Sequence, residues 1–189
     1  MNYWLLPNVP WAGFCAAQLK RGIVLDRTEK FFKAMAGKKV AFLGVGVSNT
    51  DLIRMFAEKG LATEARDKAD REKLGAVADE LERAGAVLKL GEGYLDDIDA
   101  DVVFRTPGMN WWLPELVELR RQGKAVTSEM EVFFDLCRCR RYGVTGSDGK
   151  TSTTTLIAEM LAAEGKTVHK GGYIGRPLLP MIERIKDDD

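Results

Sequence analysis

Residues Val144-Thr145-Gly146-Ser147-Asp148-Gly149-Lys150-Thr151-Ser152 join a short β-branched run to a helix-forming stretch through a tight glycine turn. A strand, a turn and a helix in immediate succession belong to α/β folds with parallel strands. Gly146 and Gly149 carry no Cβ, so the N–H groups of the turn can converge on an anion. The helix that follows brings the positive end of its dipole to the same place. Lys150 can reach β- and γ-phosphate oxygens from there, and the Thr151 hydroxyl suits Mg²⁺. The spacing is a compressed Gly-x-x-Gly-Lys-Thr form, because only Ser147 and Asp148 separate the glycines and Val144 stands where the general phosphate-loop pattern has its first glycine. Asp148 repels phosphate unless it turns outward or toward a metal. The competing reading is a glycine turn that merely caps a helix.

The totals exclude several classes. Lys plus Arg and Asp plus Glu both number 28 in a chain of 189 residues, so no basic field marks nucleic acid as a partner. No apolar run reaches membrane-spanning length. Pro7, Pro10 and the lack of an early positive charge make the start a poor signal peptide. Cys15, Cys137 and Cys139 are an odd number with one C-x-C pair, which is no disulfide framework and fits a reduced, cytoplasmic compartment. His169 is the single histidine, so the cysteines read as packing residues and not as a zinc cluster. A monomer without nucleic-acid or membrane partners is expected.

The rest of the chain alternates strands and helices. Residues 1–37 read as an amino-terminal extension with no assigned role, closed by a helix over 28–36 that gathers Phe31, Phe32 and Met35. Residues 38–137 read as a Rossmann-like domain with a parallel sheet. Its strands fall at 39–43, about 61–66, 86–90, 101–105 and 125–127, and its helices at 50–59, 69–84, from Pro114, and 129–136. Ser128 and Glu131 have the spacing of a capping box. Residues 138–189 read as the start of a phosphate-loop α/β domain, with strands at 142–145 and 167–169. Its helix over 150–164 turns Leu156, Ile157, Met160 and Leu161 inward. A strand, a loop, a helix and one further strand are too few for a whole domain of this kind, so the chain is expected to stop inside it.

The first domain carries a second glycine turn. Gly44-Val45-Gly46 follows a strand and opens a helix, and Asp67 closes the next strand about twenty residues on, as in a dinucleotide fingerprint. Asn49 occupies the third glycine position, which weakens the close helix–strand packing expected there. Asp67 can accept hydrogen bonds from ribose or uracil; its alternative is a solvated aspartate beside a tight turn. Thr106-Pro107-Gly108-Met109 ends another strand on the same rim. Trp111 and Trp112 either wall a ligand or pack, and Arg138, Arg140 and Arg141 read as solvated linker charges.

Taken in order, Gly-x-Gly-Val-Ser-Asn, Thr-Pro-Gly-Met, Thr-Ser-Glu-Met-Glu, Thr-Gly-Ser-Asp-Gly-Lys-Thr-Ser-Thr-Thr and Gly-Gly-x-Ile-Gly resemble the amino-terminal part of the Mur ligases, in their D-glutamate-adding branch. The resemblance covers about residues 28–185, and the compressed phosphate loop is its most specific part. It implies a first domain for the UDP-sugar peptide, a central one for ATP and a last one for the amino acid. It implies ATP and Mg²⁺ as cofactors, UDP-N-acetylmuramoyl-L-alanine and D-glutamate as substrates, and amide formation through an acyl phosphate. On that resemblance Gly146, Ser147, Asp148, Gly149, Lys150, Thr151 and Ser152 bind ATP, Lys150 is catalytic and Thr151 holds the metal. Val47, Ser48, Asp67, Lys68, Pro107 and Gly108 meet the UDP portion. Tyr173 stands where the family has a substrate-facing asparagine, and Asp148 where an asparagine is frequent. The family's metal-binding glutamate and histidine, its modified lysine and its last domain would follow Asp189, so the chain alone is expected to be inactive. Two rival expectations are an NAD-type redox or sensor domain using Gly44, Gly46 and Asp67, and a non-catalytic nucleotide-binding module.

Overall fold

The computed structural model describes residues 27–172 and 177–189. Five strands, β1 (Lys39–Leu43), β2 (Ala62–Asp67), β3 (Val87–Leu90), β4 (Val102–Arg105) and β5 (Ala125–Thr127), form one sheet in the order β3-β2-β1-β4-β5. Every neighbouring pair is parallel. This is the expected Rossmann-like arrangement. The strand order reverses between β1 and β4, where ligands collect in open sheets of this kind.

Helices cover both faces. One face carries α1 (Arg27–Met35), α2 (Val47–Glu58), α4 (Ala76–Arg83) and α6 (Glu129–Leu136); the other carries α5 (Pro114–Arg121). A parallel sheet covered on both sides needs strands apolar on both sides. Accordingly Val40, Ala41, Phe42 and Leu43 of β1 are all buried, with Val40 and Phe42 in one core and Ala41 and Leu43 in the other. Aromatic rings fill the larger core. Phe42 stacks on Phe104 with ring centres 4.8 Å apart, and Phe56 stands edge-on to both. Phe31 and Phe32 close the same cluster, so α1 belongs to the packed fold although the sequence places it in an extension.

Several elements differ from expectation. Helix α2 starts at Val47, three residues early, because Gly46 already takes the extended N-cap conformation. The helix expected over 69–84 is two, α3 (Arg71–Leu74) and α4, broken at Gly75, whose φ of 52° and ψ of −129° no helix accommodates. Ser128 caps α6 by accepting a long 3.4 Å hydrogen bond from the Glu131 amide. The Glu131 carboxylate does not return to the backbone; it accepts from the Ser128 and Thr127 hydroxyls.

The last third departs most. Residues 142–145 and 167–169 form no strands. Helix α7 (Lys150–Ala163) forms as expected but has no buried residue, and Leu156 and Met160 are 59% and 61% exposed. A strand needs a neighbour to take its hydrogen bonds, and an apolar helix stripe is buried only against a partner. Among the described residues neither partner is present. The chain then returns to the first unit. Leu178, Leu179 and Ile182, in and beside a 3-10 helix (Leu179–Arg184), are buried in the core that contains α2 and α6. Among the described residues no helix is long and apolar enough to cross a membrane.

Candidate functional site

The carboxyl edge of the sheet is built around one backbone approach. Gly44 ends β1 with φ of 98°, its amide donates to Arg66 O at 2.7 Å, and the Thr106 amide donates to Leu43 O at 3.1 Å. A Cβ on Gly44 would fall 2.6 Å from Thr106 Cγ2. The two glycine-bearing loops that the sequence singles out, 44–46 and 106–109, therefore touch at the reversal of strand order. Gly44→Ala is expected to cost about 3 kcal/mol, from left-handed strain and collision together. Thr106→Ser removes the colliding methyl, so the double variant should recover about a third of that loss in urea melts.

Asp67 ties β2 to the same turn. Its Oδ2 accepts from the Val45 amide at 2.5 Å and its Oδ1 from the Ala69 amide at 2.8 Å. The carboxylate is half-buried, while Lys68, Pro107 and Gly108 are exposed at the strand ends. Val47 and Ser48 open α2 at this rim, and their side chains lie outside the described part of the structure. Asn49, expected to weaken the close packing of helix on strand, is instead part of that packing. It is fully buried and its Nδ2 donates to Gly44 O at 2.9 Å, holding the glycine turn from beneath.

The sequence did not single out Arg66. It is fully buried, pairs through Nε with Glu64, and donates to the carbonyls of Tyr94, Asp96 and Asp97 at 3.0, 2.6 and 3.0 Å. This guanidinium pins the loop after β3 beside Asp67. Burial, then the Asp67 charge, raises the Tyr94 phenol above its ordinary value. Set between Glu64 and Asp67 in β2, Arg66 carries no mark in the sequence that distinguishes it from a solvated charge. Of the paired tryptophans, Trp111 packs against the guanidinium carbons of Arg105 and Arg120, which lie 5.0 and 4.1 Å from its ring centre, whereas Trp112 is 74% exposed. Arg138, Arg140 and Arg141 are exposed, as expected for linker charges.

The phosphate turn is open. Residues 145–153 are all exposed. Gly149 is the N-cap of α7 in the left-handed conformation, with φ of 74°, and Gly146 has φ of 153°. No side chain caps α7, and the amides of residues 147–152 donate to no acceptor among the described residues. The Lys150 ammonium folds over the turn and donates to Gly146 O at 2.5 Å and Ser147 O at 2.9 Å. Asp148, Thr151 and Ser152 are exposed at this turn. Among the described residues no group of three or more His, Cys, Asp or Glu side chains is placed to hold a metal. A magnesium carried by a nucleotide needs only the Thr151 hydroxyl from this part of the chain, which the exposed first turn offers. Tyr173 lies outside the described residues. Cys137 and Cys139 are free thiols with sulfurs 3.3 Å apart, and burial pushes Cys139 up to about 11, the state of a packed thiol.

The five-stranded parallel sheet is followed along the chain by an open Gly-x-x-Gly-Lys-Thr helix start. Residues 144–185 match the Mur ligase middle domain. The UDP-N-acetylmuramoylalanine–D-glutamate ligase of Clostridium botulinum is 49% identical over 160 residues, 84% of this chain and 35% of that protein. Its counterpart in Acetivibrio thermocellus is also 49% identical over 160 residues, 84% of this chain and 34% of its own length. Among solved structures, a UDP-N-acetylmuramate-alanine ligase from Thermotoga maritima is 22% identical, with a TM-score of 0.44 over 69% of this chain and 30% of that one. The chain belongs to the Mur ligase family. It spans about a third of the length of the curated relatives it matches.

Proposed function

We propose that the chain carries the UDP-binding rim and the ATP-binding loop of a cytoplasmic ligase that adds D-glutamate to UDP-N-acetylmuramoyl-L-alanine during peptidoglycan precursor synthesis. The observation that carries this reading is the uncapped start of α7, with Gly149 left-handed and the Lys150 ammonium at its tip. The names of the 49% identical relatives support the substrate assignment.

The chemistry is positioning and charge neutralisation. The L-alanine carboxylate forms a bond to the γ-phosphorus as the bond to the β-bridging oxygen breaks and ADP departs. The D-glutamate amine then attacks the acyl carbon and phosphate leaves. Lys150 exchanges its two carbonyl partners for the transferring phosphate oxygens. The amides of 147–152 would hold the phosphates, and the Thr151 hydroxyl would hold a magnesium ion, which would supply charge neutralisation at the phosphate oxygens. Asp67, Lys68, Val47, Ser48, Pro107 and Gly108 seat the nucleotide of the UDP substrate. By itself the chain is proposed to bind rather than turn over, since it spans about a third of the length of the ligases it resembles.

Calorimetry with UDP tests the rim. Binding is expected, and Asp67→Ala should weaken it at least about tenfold by removing a charged acceptor. A folded protein that gives no UDP heat at millimolar ligand sinks the reading. The strand order with Gly44, Gly46 and Asp67 also suits a dinucleotide. Thermal protection by NAD and none by UDP would select that alternative.

A further inference from the structure

Glu129 is a buried carboxylate that the chemistry above does not use. It opens α6 with 6% of its surface exposed, and its Oε1 accepts from the amides of Leu178 at 2.8 Å and Leu179 at 2.6 Å, about fifty residues away in sequence. Burial raises its proton affinity and the two amides act against that. A carboxylate is kept out of water only where donors replace the water, and here both donors belong to the segment that returns from the phosphate-loop unit.

A second contact lies on the other flank of that return. A Cβ on Gly172 would fall 2.8 Å from Met130 Cε, so Gly172 also rests on the first turn of α6. That turn stands at the carboxyl edge of the sheet, directly after β5 and beside Arg105, whose Nη2 lies 3.9 Å from Glu131. On its far side the returning segment is joined to α7, because Lys170 Nζ donates to Thr155 Oγ1 at 3.1 Å. The chain thus runs from phosphate loop to α7, from α7 to Lys170–Gly172, and back to Pro177–Leu179 at the rim.

We propose that Glu129 is a positioning residue that fixes the flank 177–179, beside the flank 171–172 that rests on Met130, and through this return holds the phosphate-loop helix against the carboxyl edge of the sheet. It would set the spacing between the two candidate nucleotide sites without touching either ligand. Only the ligand arm of the test below rests on the UDP reading.

Hydrogen exchange on the 189-residue chain, with and without UDP, decides it. In Glu129→Ala the Leu178 and Leu179 amides should exchange about a hundredfold faster, while the amides of β1 and β4 stay within about threefold of the parent. Glu129→Gln keeps an acceptor oxygen and should stay within about tenfold of the parent. Glu129→Asp keeps the charge at the start of α6 but withdraws the oxygens, and should resemble the alanine variant; it serves if alanine does not fold. Leu136→Ala, a loss of packing elsewhere on α6, should loosen α6 without singling out Leu178 and Leu179. Parent-like exchange at those two amides in the alanine or aspartate variant overturns the proposal. So does equal acceleration across the sheet. With UDP, protection should reach Gly171 and Gly172 in the parent and be lost in Glu129→Asp; protection confined to residues 44–46 in the parent overturns the coupling. Absence of UDP protection everywhere defeats the nucleotide reading instead, and the ligand-free exchange at Leu178 and Leu179 still decides the role of Glu129.

Discussion

Arg66→Met is expected to lower stability by about 3–5 kcal/mol, since it removes a fully buried guanidinium that serves three carbonyls and the half-buried Glu64. The effect comes from what is left behind. Methionine fills much the same space, so little cavity forms, but the carbonyls of Tyr94, Asp96 and Asp97 lose their donor together and Glu64 loses its cation. These bonds are part-buried, so water replaces the lost donors only incompletely, and three charge-assisted bonds vanish together. Lys89 lies 3.6 Å from Glu64 and will offset part of the stranded charge, which argues for the lower end of the range. The thermal midpoint should fall by roughly 10 °C for a chain of this size. Arg66→Lys should recover less than half of the loss, because one ammonium cannot reproduce the planar fork that meets three carbonyls. The loop after β3 should also loosen beside Asp67, so UDP affinity should drop in Arg66→Met even well below its melting range. A melt within 2 °C of the parent, or unchanged UDP binding in a destabilised variant, would show that this clamp is not what holds the rim.

The same residue shows where sequence reasoning stops. The sheet was legible because short strand-like stretches, led by the apolar run Val40–Leu43, alternate with periodic helical stretches, and because glycines punctuate their ends. Two glycine turns placed loops 44–46 and 106–109 on one rim, while their contact through Gly44 and Thr106 is visible only in the structure. Arg66 and Glu129 were not legible as clamps. A charged residue in a strand or in a first helical turn reads as a solvated face, and its burial is set by partners about thirty to fifty residues away. Asn49 was read through what asparagine lacks relative to glycine; its amide turned out to hold Gly44 O, a bond that depends on the helix starting at Val47. In α7 the sequence turns Leu156, Ile157, Met160 and Leu161 inward, and the structure leaves Leu156 and Met160 exposed. Burial, however, belongs to a pair of surfaces, and the described residues hold only one of the pair.

Lys150→Ala is the sharper test of the phosphate turn, because its effects on binding and on folding should separate. Lys150 is exposed and its ammonium bonds only to Gly146 O and Ser147 O, carbonyls that water can serve equally well. The melting midpoint should therefore move by no more than about 1 °C. ATP affinity, if the amides of 147–152 and this ammonium form one anion seat, should fall about a hundredfold, the worth of a charge-assisted hydrogen bond to phosphate. UDP affinity should be unchanged, since that rim is built from the ends of β1, β2 and β4. Raising salt should weaken ATP binding to the parent more steeply than to Lys150→Ala, as expected when one exposed cation is removed from an open site. Parent-like ATP binding in the variant would mean that the glycine turn only starts a helix. A joint loss of ATP binding and fold would mean that the ammonium serves the turn's own carbonyls before it serves any ligand.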